Sequence, residues 1–461
     1  MRYLHGLTSW PREMERSTAT PHVREAPPGP QSRKWIAYHR AAAARATYVE
    51  GFVWDRAAPA VGPFCTDPDG NIFLDFASHV GTSPLGYNHP ELLAVSDRLK
   101  SIDPDRYAGT DFISAYGRDP QQIEIPTPSH LHHKLLEITE QFSFGTAFFS
   151  NSGAEAVENA IKICYDARRN CGYGFCFLGA FHGRTLGALS LNRSKRLHRS
   201  WYPQIPNIVH LPYCTCGGEC RCGFWLGPVG SESRLAHFLD PIHGLIDPAE
   251  VAYIIIEPLQ GEGGYQVPNA AFMAEVGRVA RQYQIPLIAD EIQSGMGRTG
   301  RWWGSEHFEI RPDIIVAGKA LRVGATIGRT ELFPKEEMRL GSTWGEGNAL
   351  SSAIGFTTIE IIQREGLLVH ATRMGERLRH ELQNLQRRFD FIEDVRGLGL
   401  MDALELDTVE RRGRILQACL ERGLLLLGCG FKAIRFLPPL DVTQRELDLA
   451  LEILSEGLAR L

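Results

Sequence analysis

The 461-residue sequence contains no run approaching the ~18 consecutive apolar residues needed to cross a bilayer, which excludes a helical membrane protein. It also lacks a basic excess: 49 Lys and Arg stand against 54 Asp and Glu, a net charge of −5. Without a basic field, no nucleic-acid partner is expected. The opening MRYLHGLTSWPREMERSTATPHVREAPPGP carries charges and prolines where an export signal would need an apolar stretch. Residues 1–35 are therefore expected to form a flexible arm, and the protein to be cytoplasmic. Cysteine is sparse, ten in the chain, too few for a disulfide scaffold, and in a cytoplasm the thiols stay reduced. Internal repeats and low-complexity tracts are lacking too. What is present, 43% hydrophobic and 22% charged residues with 46 glycines, is an ordinary globular composition, with length for two or three units.

Patterning favours two. FCTDPDGNIFLDF reads as a hairpin about an Asp-Gly turn. From about residue 130, helical periodicity alternates with short apolar runs. LHHKLLEITEQF and SNSGAEAVENAIKICYDARR predict helices; TAFFS, FCFLGA, AYIIIEP, IPLIADE and DIIVAG predict strands. Runs apolar along most of their length suit strands buried on both faces, as in a parallel sheet covered by helices. Amphipathic helices follow at 349–365 and 367–388, then short strands and a last helix after Thr443. Residues 212–233 read as an irregular insertion.

Three motifs sit at the exits of these strands, where open α/β sheets collect ligands. Ser152, Gly153 and Ala154 in SNSGAEA place small residues at a helix N-terminus, a seat for an anion such as phosphate or a simple cap. IADE brings Asp290 and Glu291 to a strand exit, as a ligand contact or as solvated or ion-paired groups. Lys319 follows DIIVAG; amid apolar sequence it is either a desolvated nucleophile or a snorkelling surface lysine. Taken together, an anion seat, a carboxylate for a pyridinium nitrogen and a lysine for a Schiff base are what pyridoxal phosphate requires.

The segments FLDFASHVGTSPLGYNHP, SNSGAEAVENAIK, GAFHGRTLGALS, IIIEPLQGEGG, LIADEIQSGMGRTG, PDIIVAGKAL, GSTWGEGN and AIRFLPPL occur in the order found in class III (ω) aminotransferases. The sequence resembles that family of the pyridoxal-phosphate fold type I superfamily from about residue 60 to 440. The resemblance implies an α/β large domain with a mostly parallel seven-stranded sheet and a smaller α+β domain built from both chain ends. Its expected parts are the arm 1–35, a small-domain segment 36–85, the large domain 86–348 and a small-domain segment 349–461. It also implies that Lys319 forms the Schiff base and Asp290 pairs with the ring nitrogen, with Gln293 at the phenolic oxygen and Phe181 stacked on the ring. His182 and Glu257 join the cofactor-binding set, and Ser152, Gly153 and Ala154 take the phosphate. In relatives the threonine matching Thr343 reaches that phosphate from a neighbouring subunit, implying a homodimer or dimer of dimers.

Substrate class rests, by the same resemblance, on Arg184, Glu262 and Arg435. The two arginines match carboxylate-binding positions, and Glu262 matches the residue that covers the second. An ω-amino donor then reacts at its far amine, and a dicarboxylic oxo acid displaces Glu262 to use both arginines; either arginine could instead be a structural ion-pair member. The motifs GAFHGRT, STWG and GCGFKAIRFLPPL are most similar to 4-aminobutyrate and L-lysine 6-aminotransferases, implying transfer of a terminal amine to 2-oxoglutarate. Two departures stand out: KALRVGATIG puts Arg322, Val323 and Thr326 after the lysine, expected to add bulk at the active-site entrance, and Glu346 is an extra residue in STWGEGN. A racemase or epimerase using the same cofactor is the alternative, and a non-catalytic regulator a third. Cys214, Cys216, Cys220 and Cys222 have CxCxxxCxC spacing, read either as a structural zinc site or as reduced, unliganded thiols, with an iron–sulfur cluster a further option.

Overall fold

The computed structural model describes residues 14–44, 51–103, 105–341 and 348–460. The chain divides into two compact units, one of residues 91–375 with 396–401, the other of residues 1–90, 376–395 and 402–461.

The larger unit is organised by seven strands: β1 (Thr146–Ser150), β2 (Tyr173–Phe177), β3 (Ile208–Leu211), β4 (Val251–Ile256), β5 (Leu287–Asp290), β6 (Ile314–Ala317) and β7 (Gly324–Gly328). Their order is β1-β7-β6-β5-β4-β2-β3. Neighbours from β6 across to β3 run parallel, while β7 is antiparallel to both β1 and β6. Every residue of β4, VAYIII, is buried, because helices cover both faces. Ile254 and Ile256 pack with Val276 and Val279 of one helix, Ala270–Gln282, and Tyr253 and Ile255 with Val157, Ala160 and Ile161 of another, Gly153–Ala167. Successive side chains alternate between faces, so a doubly covered strand must be apolar throughout. The helices of this unit used below are α1 (Pro128–Glu137), α2 (Gly153–Ala167), α3 (Ala270–Gln282) and α4 (Ala349–Arg364).

The expected boundary at 348/349 is displaced, since the larger unit continues to Gly375. The cause is α4, whose Ile359 joins Leu131 and Leu135 of α1 and Leu321 in one core. At Gly355 the fit is so close that a Cβ would lie 2.6 Å from the Leu321 carbonyl oxygen.

In the smaller unit the sequence-read hairpin is present, with Phe64 opposite Leu74, Cys65 opposite Phe73 and Thr66 opposite Ile72, and Leu424–Leu425 adds a parallel third strand. A four-stranded sheet follows the order Ile392–Leu398, Met401–Leu406, Ala433–Phe436, Leu427–Cys429. The last helix, Gln444–Ala459, begins at Thr443 with a reciprocal cap to Glu446. The expectation of a loose arm over 1–35 needs correction for residues 14–35. Arg16 donates to Glu446 at 2.7 and 2.9 Å and also bonds Asp441; His22 pairs with Ile72, and a helix spans Pro30–Ala42. A guanidinium with both carboxylates satisfied holds the segment in place. Among the described residues no helix is long and apolar enough to cross a membrane.

Candidate active site

The site gathers at the carboxyl ends of the parallel strands. β5 delivers Asp290, 4% exposed, whose Oδ2 lies 2.6 Å from His182 Nδ1 and whose Oδ1 accepts the Ile292 N–H at 3.1 Å. His182 is itself fixed by its N–H donating to Asn192 Oδ1 at 2.6 Å. Burial opposes a charged imidazole, but the bond to Asp290 and the charges of Asp290 and Glu257 outweigh it, and the His182 pKa is raised.

β6 leads through Gly318 to Lys319, which opens a short turn, Lys319–Leu321, with its backbone at φ 45°. A non-glycine residue there is strained. The Lys319 Nζ donates to Gln293 Oε1 at 2.7 Å. Gln293 lies tightly over Gly261, where a Cβ would come within 1.8 Å of its amide nitrogen. Glu257 in turn accepts the Gly261 and Phe181 N–H groups, both at 2.9 Å. Burial pushes the Glu257 carboxyl up to about 7, with His182 drawing it down and Asp290 adding to the rise.

At the α2 N-terminus Ser152 Oγ caps by accepting the Glu155 N–H at 3.3 Å. Backbone contacts tie this end to the other motifs. A Cβ on Gly318 would lie 3.3 Å from Gly153 Cα, and one on Gly153 would lie 2.7 Å from Ile292 Cδ1. Gly183, at φ 138°, meets Ala154, with 2.6 Å between Cβ positions; its conformation and that approach both require glycine. The contacts close a ring: Gly318 against Gly153, Ala154 against Gly183, His182 to Asp290, and Lys319 to Gln293 to Gly261 to Glu257 to Phe181. An amine, a buried carboxylate and a helix N-terminus whose first N–H groups have no intrahelical partners thus meet in one place. That donor set fits pyridoxal phosphate.

Beside the ring, Phe181 packs edge-on to His198 at 5.5 Å, and the Arg184 guanidinium lies 5.7 Å from the Phe181 ring centre. The His198 pKa is lowered by burial and by the charges of Arg184 and Lys195, with Glu262 working the other way. Arg184 and Glu262 therefore share one neighbourhood around His198. Arg435 lies in the other unit, 6% exposed on the strand Ala433–Phe436, opposite Ala403 and Leu427. Thr343 and Glu346 lie outside the described residues. Glu291 is used structurally, accepting from Ser294 and from the N–H groups of Gly304 and Ser305.

The expectation that Val323 and Thr326 add bulk at an entrance is corrected. Val323 is core, and Thr326, 0% exposed in β7, donates its hydroxyl to the Ala156 carbonyl. Sequence reasoning missed Gly261, Ile292, Gly318, Asn192 and His198. Only AGK and QGEGG hint at two of these, through glycine beside a functional residue. The four cysteines gather separately, in the irregular insertion 212–233.

Residues 55–458 match the family model Aminotransferase class-III. Over 468 aligned residues, covering 95% of this chain and 92% of the relative, the sequence is 32% identical to an alanine/serine racemase of Pyrococcus horikoshii. It is 33% identical to the acetylornithine aminotransferase of Thermosynechococcus vestitus, covering 86% of this chain and 90% of that one. The structure is similar to the lysine aminotransferase from M. tuberculosis, with a TM-score of 0.77, 26% identity, and coverage of 93% of this chain and 99% of that one. Such coverage, on a fold and strand-end geometry already of this kind, means that the chain belongs to the class III aminotransferases.

Proposed function

We propose that the protein moves the terminal amine of an ω-amino acid, of 4-aminobutyrate, L-lysine or L-ornithine type, to 2-oxoglutarate, giving a semialdehyde and L-glutamate. The observation that carries the reading is the closed ring joining Lys319, Asp290 and the α2 N-terminus. The family uses pyridoxal phosphate, which supplies an aldehyde for the donor nitrogen and a ring that takes up the electron pair left by a departing proton. The N–H groups at Ser152, Gly153 and Ala154 would hold its phosphate. Asp290, oriented by His182, would keep a proton on its ring nitrogen, while Phe181 would cover the ring and Gln293 would serve the phenolic oxygen. Glu257 holds the backbones of Phe181 and Gly261 in place. With the cofactor bound, Lys319 Nζ would take the proton from the amine-bearing carbon of the donor and pass it to the cofactor.

Arg184 binds the donor carboxylate, and Glu262 and Arg435 are assigned to the exchange of donor for the dicarboxylic oxo acid. The active unit is a cytoplasmic homodimer or dimer of dimers. A second reading, racemisation of an amino acid, is favoured by the similarity to the alanine/serine racemase; it needs only that the proton return to the opposite face. The two are separated by assay of the purified, cofactor-supplemented enzyme. Glutamate formed from 2-oxoglutarate with lysine, ornithine or 4-aminobutyrate supports the transferase. Loss of optical rotation from a single amino acid with no acceptor, and no glutamate, establishes the racemase instead.

A further inference from the structure

The insertion 212–233 has almost no regular structure: Trp225 pairs with Ser233 in an isolated bridge, and the rest is turn and loop. Within it the sulfur atoms of Cys214, Cys216, Cys220 and Cys222 all lie within 4.8 Å of one another. Cys220 and Cys222 are 3.5 Å apart, and all four are free thiols. Four thiolates at ~2.3 Å from a tetrahedral zinc would be about 3.8 Å apart, so this arrangement needs only small adjustments. The Trp225 N–H donates to Cys220 Sγ at 3.3 Å. Such a donor suits a sulfur carrying negative charge.

The surroundings suit a closed site. Cys214 is fully buried, and the cluster sits against Phe224, Trp225 and Phe272. The loop is anchored where it leaves the sheet: the Cys214 and Cys216 carbonyls accept from Asn269, the residue capping α3, and Tyr213 Oη donates to the Glu257 and Pro258 carbonyls at 3.0 and 3.2 Å. No water-accessible fifth donor or open catalytic geometry is needed, because all-cysteine sites are structural.

We propose that Cys214, Cys216, Cys220 and Cys222 bind one structural zinc ion that closes the 212–233 insertion. The metal takes no part in amine transfer. It replaces the core this segment is too short to build for itself and holds Tyr213 beneath the backbone of Glu257.

Elemental analysis of the dialysed, cofactor-loaded protein is expected to give about one zinc per chain. Titration with a mercurial thiol reagent in the presence of 4-(2-pyridylazo)resorcinol should release the same amount. Cys220→Ser with Cys222→Ser should lose the zinc; if that variant does not fold, exchange of cobalt(II) into the wild type should give the visible bands of a tetrahedral tetrathiolate. Arg221 is already exposed, so removing the metal should loosen the backbone around it, make the bond after it a trypsin cleavage site and lower the melting temperature. Substoichiometric zinc after dialysis, iron with acid-labile sulfide, or a disulfide among the four in native mass analysis would each overturn the proposal, whichever reaction the enzyme performs.

Discussion

Lys319 shows how much of the chemistry is set by one residue's surroundings. Its backbone sits at φ 45° and its amine rests on Gln293, so the side chain is aimed before any ligand arrives. Lys319→Ala is expected to abolish the visible absorption of the cofactor adduct and to lower turnover by about 10⁴-fold or more, read by spectrum and glutamate assay; retention of both would remove Lys319 from the chemistry. Arg184 is exposed beside Phe181 and His198. A charged hydrogen bond contributes about 1.5–3 kcal/mol, so Arg184→Ala should raise the donor KM about 10–100-fold while cofactor affinity, followed by fluorescence, stays put. Both residues were legible in the sequence because short motifs carry them. The contacts that assemble the site were not: Gly318 meets Gly153, and His182 meets Asp290, only after distant strands align, and no local spacing encodes that.

Among the elements, the four runs apolar along most of their length, FCFLGA, AYIIIEP, IPLIADE and DIIVAG, were readable because a strand covered on both faces has no polar side to show. β3 and β7 escaped notice for physical reasons. IVHL carries His210 in a four-residue strand, and GATIG has glycine at both ends, so neither presents a run or an alternation. The docking of residues 14–35 was equally hidden, since the partners of Arg16 lie 425 and 430 residues further along the chain. α4 supplies a test at this scale. Gly355→Ala forces a methyl onto the Leu321 carbonyl in the turn that carries Lys319. Overpacking of this kind costs about 1–3 kcal/mol, and the variant should melt earlier and lose kcat more than it changes KM. An unchanged melting temperature would mean that the helix and turn are not in close contact.

For the whole molecule, stability should respond to acid through histidines buried in neutral form. Burial, with His133 nearby, lowers His132 to about 4; burial, with Arg193 the main charge, lowers His210 to about 3. An unfolded imidazole titrates near about 6.5, so below that pH the unfolded chain binds protons that the native one refuses. Their contribution is therefore complete above about pH 6.5 and is lost as pH falls toward 4 and 3. Glu257 and His182, both raised, act in the opposite sense, so the readout is a difference: calorimetry of His210→Gln should show a shallower acid decline than the wild type between about pH 6.5 and 4.5, and identical slopes would contradict the assignment. The antiparallel seat of β7 has a different outcome, written in chain length. β6 and β7 pair directly, Ala317 opposite Ala325 and Ile314 opposite Gly328, so the Schiff-base turn is clamped between two fixed registers. Gaining or dropping one residue there would turn every following side chain of β7 to the wrong face, whereas the stretch beyond β3 accommodates an irregular, cysteine-bearing loop. Descendants of this chain are thus free to vary in length at one rim of the sheet and barred from doing so beside the lysine.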